Sequence, residues 1–187
     1  GFFTSHQKRR IQTFDDPEAV KAFLGEANSP FTALDPRHPT TFGPYMNDPD
    51  LINNKMQLHL AMEAARWVIP QVFKELAALS GRSYSMLDTY QMKDAEAAVV
   101  LANTAAETAK EVADHLREEG RKVGVISPNV LRPFPGEEFR QALKHVKAVT
   151  IGDRADSYGG EGGNLSLEVR AALQVDPENK TRVLSRI

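Results

Sequence analysis

From residue 86 onward the chain alternates short, strand-like runs, the inner ones mostly apolar, with amphipathic segments, and this alternation restricts the fold more than any other feature. The runs are MLDTYQM (86–92), AEAAVVLAN (95–103), KVGVISP (122–128), KAVTIGD (147–153) and TRVLSRI (181–187). Between them lie TAAETAKEVADHLREEG, PGEEFRQALKHV and NLSLEVRAAL, each with a helical period. Strands that are apolar on both faces must be covered on both faces, and strands alternating with helices pair in parallel. The pattern predicts a three-layer α/β/α domain with right-handed crossovers. Thr104 is the expected cap of the first of these helices and Gly120 its end.

The segment before this pattern reads differently. Residues 1–14 show no helical period and read as an arm. DDPEAVKAFLGEA predicts a short helix with Asp16 as N-cap, Pro17 at the first helical position and Gly25 as its stop. Residues 26–48 carry Pro30, Pro36, Pro39 and Pro44, with Pro49 just beyond, and form a long irregular connector. A long helix follows, with Asp48 as expected cap, Pro49 at its first position and Gly81 at its end. Its apolar positions include Leu51, Leu58, Met62, Ala65, Ile69, Val72, Phe73 and Leu76. Pro70 should kink it. The expected division is therefore an arm and linker over 1–48 and an α/β domain over 49–187. Gly1 in place of an initiator methionine, and a strand-like run still open at Ile187, read as an internal piece of a longer polypeptide.

Composition narrows the function classes. The formal net charge is −2, which leaves no nucleic-acid footprint. No apolar run approaches the roughly 20 residues that span a bilayer, so a cytoplasmic protein without membrane contact is expected. Cysteine is absent, which excludes disulfides, thiolate nucleophiles and cysteine-ligated clusters within these 187 residues. The five histidines, His6, His38, His59, His115 and His145, show no metal-ligand spacing. Neither a nucleophile elbow nor a Ser–His–Asp set is present, so no catalytic residue is assigned.

The candidate site is DRADSYGGEGGNL, after the fourth run of the α/β pattern, with glycines at 159, 160, 162 and 163. A strand, a glycine-rich turn and a helix can cradle an anion, because glycines admit backbone N–H groups and the helix N-terminus is electropositive. Candidate binding residues are Gly159 and Gly160, Asp153 and Arg154 at the strand's carboxyl end, and Arg132 in LRPFP. The competing reading is structural: the glycines let the chain turn, and Asp153 holds the loop by accepting backbone N–H groups. The loop matches neither G-x-G-x-x-G nor the P-loop, and Asp153, Asp156 and Glu161 would repel a phosphate. On this reading Arg154 pairs locally and Arg132 binds loop carbonyls. A dehydrogenase is disfavoured because the first βα unit lacks the dinucleotide fingerprint. A self-contained anion- or nucleotide-binding module using the 159–163 loop and Arg132 stays open as an alternative.

A series of short motifs adds a resemblance. TSH (4–6), ALDPRHPTTFGP (33–44), SGR with Tyr84 (80–84), LRPFP (131–135) and DR with downstream glycines occur in this order. The series resembles the second domain of the pyruvate:ferredoxin oxidoreductases, within the wider 2-oxoacid:ferredoxin oxidoreductase family, over essentially the whole chain. The resemblance implies a domain like the C-terminal domain of transketolase, a mostly parallel five-stranded sheet whose first strand, MLDTYQM, is antiparallel. It implies a part of an enzyme that converts a 2-oxoacid, pyruvate by the HPTTFGP pattern, and coenzyme A to acyl-CoA, CO2 and reduced ferredoxin. Thiamine pyrophosphate, Mg and iron–sulfur clusters would sit on other domains, so this chain itself would bind no cofactor and be inactive alone. Its partners would be the other domains or subunits, with ferredoxin and coenzyme A met through the whole enzyme. The GGEGG loop is richer in glycine than the family pattern, which leaves its role outside the resemblance.

Overall fold

The structure, a computed structural model, describes residues 12–25, 35–39, 43 and 46–187. The expectations for TSH, for most of the arm and for part of ALDPRHPTTFGP lie outside the described residues. Packing divides the described residues between Ser83 and Tyr84 into two compact units, Arg10–Ser83 and Tyr84–Ile187.

In the Arg10–Ser83 unit, α1 spans Pro17–Leu24. The Asp16 carboxylate accepts the N–H groups of Glu18 and Ala19 at 3.0 and 3.1 Å, and Gly25 ends the helix at φ +70°. Asp35 folds the following proline-rich stretch into a turn, accepting from the Arg37 N–H, the Arg37 guanidinium and His38. Those bonds, the Arg37 guanidinium first, hold the Asp35 carboxyl below its ordinary range. The long helix α2 covers Asp50–Ser80 and runs through Pro70 without a break in its assignment. Its cap is Pro49, not Asp48: the Leu51 N–H donates to the Asn47 carbonyl, so a turn precedes the helix and its first residue moves one place on. Gly81 closes it in the left-handed conformation. The Gln12 side chain donates to the Ser80 carbonyl at 2.8 Å.

The Tyr84–Ile187 unit is a five-stranded sheet in the order β1-β3-β2-β4-β5. The strands are β1 Leu87–Tyr90, β2 Ala97–Val100, β3 Val123–Pro128, β4 Ala148–Gly152 and β5 Arg182–Arg186. Only β1 runs antiparallel, with Leu87 opposite Pro128 and Tyr90 opposite Val125. The helices are α3 (Thr104–Glu118), α4 (Gly136–Leu143) and α5 (Asn164–Gln174). The expected mixed sheet with an antiparallel first strand is what forms. One correction concerns α3: Thr104 is its first residue, and the cap position is Asn103, held at φ +57° without a side-chain capping bond. The chain turns sharply as it leaves β2, and this turn takes the cap position one residue early.

Side chains alternate between the two sheet faces, and each face has its own apolar cluster. Val100, Ile126, Val149 and Ile151 meet Phe139 and Leu143 of α4 and Val169 of α5, all fully buried. Val125 meets Ala106 and Ala113 of α3 on the other face. Each such aliphatic or aromatic side chain contributes about 1.5–3 kcal/mol by leaving water. On the α3 side the rim is polar. Lys110 donates to Asp88 at 2.6 Å and Glu107 at 3.0 Å, and the Tyr90 hydroxyl donates to Asp114 at 2.7 Å. Burial alone would lower the Lys110 ammonium, but its two carboxylate partners outweigh that and raise it. The Asp114 hydrogen bond raises the Tyr90 phenol.

Candidate functional site

In a parallel sheet, ligands bind beyond the carboxyl ends of the strands, where neighbouring crossovers diverge to opposite faces. Here that place lies between β2, which feeds α3 on one face, and β4, which feeds α5 on the other. The two strand ends are in close contact: a side chain at Gly152 would overlap Leu101.

The loop from Asp153 to Gly163 follows β4 and ends on the first turn of α5. Its centre is the Asp153 carboxylate, which accepts the N–H of Leu165 at 3.1 Å and of Ser166 at 3.1 Å. A residue outside the helix thus caps it from twelve and thirteen positions away. The Ser166 hydroxyl, fully buried, donates to the Gly163 carbonyl at 2.9 Å, and Ser185 on β5 accepts the Gly163 N–H at 3.3 Å. Asp156 and Gly163 form an antiparallel bridge that closes the loop's neck.

The candidate residues named from the sequence separate into three places. Asp153 is the capping group. Gly159 sits at φ +79° at the outer tip with open space around it, and Gly160 is tight against the Ser157 carbonyl, 2.8 Å from where a Cβ would stand. Arg154 is exposed at the loop's start and has an interaction of its own. Arg132, after β3, is not gathered with the loop glycines. It pairs with Glu168 of α5 and donates to the Leu131 carbonyl at 2.7 Å. With 60% of the Arg132 side chain exposed, this pair contributes little to stability.

Sequence reasoning singled out Gly159 and Gly160 and passed over the two glycines that touch the most. A Cβ at Gly162, which has φ +119°, would stand 2.5 Å from the Ser185 hydroxyl and 2.6 Å from that of Ser166. A Cβ at Gly163 would overlap the Asp153 side chain. The signal was present in GGNLS, where two glycines lead directly into a helix whose third residue is a small hydroxyl side chain.

The donor set does not fit a diphosphate. The α5 amides that would meet an anion are taken by Asp153, and Asp156 and Glu161 flank the loop. At ~4–6 Å a carboxylate repels a phosphate by about 1 kcal/mol or more, against roughly 0.3–1 kcal/mol from the helix terminus. Among the described residues no three His, Cys, Asp or Glu side chains gather as a metal site. Titration with coenzyme A, ADP or thiamine pyrophosphate is therefore expected to leave the backbone amides of residues 153–166 unmoved in NMR spectra. A saturable shift confined to those amides at sub-millimolar ligand would restore the anion site.

Comparison with known proteins places this geometry. Residues 95–187 match the family described as pyruvate:ferredoxin oxidoreductase core domain II. The pyruvate synthase subunit PorA of Thermotoga maritima is 38% identical over 173 residues, covering 92% of this chain and 44% of that subunit. The pyruvate:ferredoxin oxidoreductase of Moorella thermoacetica is 30% identical over 182 residues, covering 96% of this chain and 16% of that enzyme. Among solved structures, a 2-oxoglutarate:ferredoxin oxidoreductase from Magnetococcus marinus overlays with a TM-score of 0.42 at 18% identity, over 65% of this chain and 20% of that one. The chain thus spans less than half the length of the curated relatives it matches. These sequence relatives make it a domain of the 2-oxoacid:ferredoxin oxidoreductase class. More narrowly, its residues 95–187 belong to the pyruvate:ferredoxin oxidoreductase core domain II family.

Proposed function

We propose that this chain is a structural and docking domain of a thiamine-pyrophosphate-dependent pyruvate:ferredoxin oxidoreductase, which converts pyruvate and coenzyme A to acyl-CoA, CO2 and reduced ferredoxin. The thiamine, Mg and iron–sulfur chemistry belongs to other domains or subunits, and this domain braces them. Residues 1–48 serve as an arm and linker from a preceding domain, and residues 49–187 carry the docking surfaces.

The observation that carries this reading is helix α2. None of its 31 residues is buried. Its exposed side chains include Leu51, Ile52, Met56, Leu58, Leu60, Met62, Trp67 and Val68, with Trp67 at 74% exposure and Ile52 at 66%. Ile52, Met56 and Leu60 form one stripe, and Leu51, Leu58 and Met62 another. A helix apolar on more than one side is ordinarily buried within a larger protein, and exposed apolar area on this scale marks an interaction surface. Relatives more than twice as long supply the polypeptide to cover it.

The test is a paired assay of pyruvate-dependent dye or ferredoxin reduction with thiamine pyrophosphate and coenzyme A supplied. The purified 187-residue chain is expected to give no turnover, and the complete enzyme containing it is expected to give turnover with pyruvate. Activity of the 187-residue chain alone, or a complete enzyme inert toward every 2-oxoacid tried, would overturn the assignment.

A further inference from the structure

Among the described residues, strand β1 forms one edge of the sheet. The Asn129 N–H donates to the Met86 carbonyl at 3.0 Å, and Pro128, opposite Leu87, has no N–H to give. Alternation along an antiparallel pair then puts Asp88 and Tyr90 in the hydrogen-bonded positions facing Ser127 and Val125. It turns the backbone N–H and C=O groups of Leu87 and Thr89 outward, where the Leu87 carbonyl already accepts from the Ser85 hydroxyl at 2.5 Å. An edge of this kind is a template for another strand.

Between this edge and helix α4 lie two adjoining hollows of about 300 and 540 Å³, which share Thr89 and Gln141. Glu138 lines the first, with Met86 and Leu87 as apolar floor. Glu138 is the third residue of α4, where a glutamate ordinarily reaches back to the N–H of the cap residue. The cap here is Pro135, which has no N–H. Oε2 of Glu138 is accordingly buried with no hydrogen-bond partner. Its neighbour Glu137 is already satisfied: Gln141 and then Arg140 bond it and hold its carboxyl below the ordinary range. A carboxylate oxygen buried without a donor is destabilising until a donor arrives from outside.

Resting on the docking reading above, we infer that this groove receives an extended segment of the enzyme's remaining polypeptide, which adds as a sixth strand to β1 and lays a lysine or arginine side chain against Glu138. The outward N–H groups and the Thr89 carbonyl match a partner with an extended backbone, and the orphan oxygen matches a donor. An anion is repelled by Glu137 and Glu138 together. A small cation would satisfy Glu138 and leave the strand edge open. A segment with a basic side chain on its α4-facing side meets both, because alternate residues of a strand share a face.

Hydrogen exchange in the complete enzyme reads this directly, compared with the same measurement on the 187-residue chain. The outward Thr89 amide is expected to exchange at least about a hundredfold more slowly in the complete enzyme, while the inward Asp88 and Tyr90 amides are protected in both samples. Glu138→Gln, which keeps the side chain's shape, is expected to return about tenfold or more of that protection at Thr89 and to leave Asp88 and Tyr90 unchanged. A photo-crosslinker at Gln141 should label one stretch of polypeptide containing Lys or Arg. Equal Thr89 exchange in both samples, or Thr89 protection indifferent to Glu138→Gln, would overturn the inference. So would crosslinks to a helix or to residues 1–187 themselves. These readouts do not depend on turnover, so a complete enzyme active with pyruvate but unprotected at Thr89 refutes the groove and spares the functional assignment.

Discussion

Replacing Phe139 with alanine is expected to lower the unfolding midpoint of the Tyr84–Ile187 unit by more than about 10 °C. Phe139 is fully buried on α4, an eight-residue helix too short to persist without tertiary support. Its ring stacks on Phe134, with centroids 5.4 Å apart and planes 11° from parallel. It also belongs to the cluster that joins the sheet to α4 and α5. Truncating a buried phenylalanine costs about 3–5 kcal/mol, because the transfer energy is lost and a cavity remains. The lost ring pair adds about 0.5–1.5 kcal/mol. A domain of this size has a total stability of about 5–15 kcal/mol, so the variant stands near the limit of folding at all. Val175→Ala serves as the contrast: Val175 is 70% exposed and its truncation should cost less than about 0.5 kcal/mol. Thermal unfolding followed by circular dichroism checks both. Similar midpoints for the two variants would mean that α4 does not anchor the core.

What was legible in the sequence follows from how local each signal is. The strands showed as apolar runs, and α1 and α2 showed their stops because Gly25 and Gly81 supply the positive φ at which the chain leaves a helix. The caps at Asp48 and Thr104 misled by one position. Both sit beside a turn, and turn geometry depends on bonds such as that from the Leu51 N–H to the Asn47 carbonyl, which no residue type announces. The glycine loop was legible as a turn and Asp153 as the acceptor that holds it, but not that the amides it accepts are those of Leu165 and Ser166 in α5. Asp153 reaches α5 across twelve residues, and local pairing rules stop at three or four. Glu138 was hidden for the opposite reason. In the sequence it is an ordinary acidic residue in the first turn of a helix, and only its cap, Pro135, deprives it of a partner.

The loop's architecture gives the second large effect, at Gly163. Its backbone is extended, with φ −80° and ψ 170°, which any residue can adopt, so conformational freedom is not why glycine stands there. The reason is approach: an alanine Cβ would occupy the space of the Asp153 side chain. Asp153 cannot simply swing aside, because both its oxygens are engaged, one by Leu165 and the other by Ser166. Gly163→Ala must therefore expel the carboxylate from the start of α5. Losing an N-cap costs about 0.5–2 kcal/mol, and leaving two partly buried amides without a charged acceptor raises the total to about 2–4 kcal/mol. Asp153→Ala should cost a similar amount by emptying the same place directly. The two losses are the same loss, so the double variant should be little worse than either single one, a coupling of about 2 kcal/mol in a double-mutant cycle. Emptying that place also exposes the Leu165 and Ser166 amides at a helix N-terminus, so inorganic phosphate or sulfate should raise the melting temperature of Asp153→Ala more than that of the unsubstituted chain. Additive destabilisation would show that Gly163 is needed for some reason other than Asp153. An anion that stabilised both proteins equally would show that the carboxylate does not hold the α5 N-terminus against other ligands.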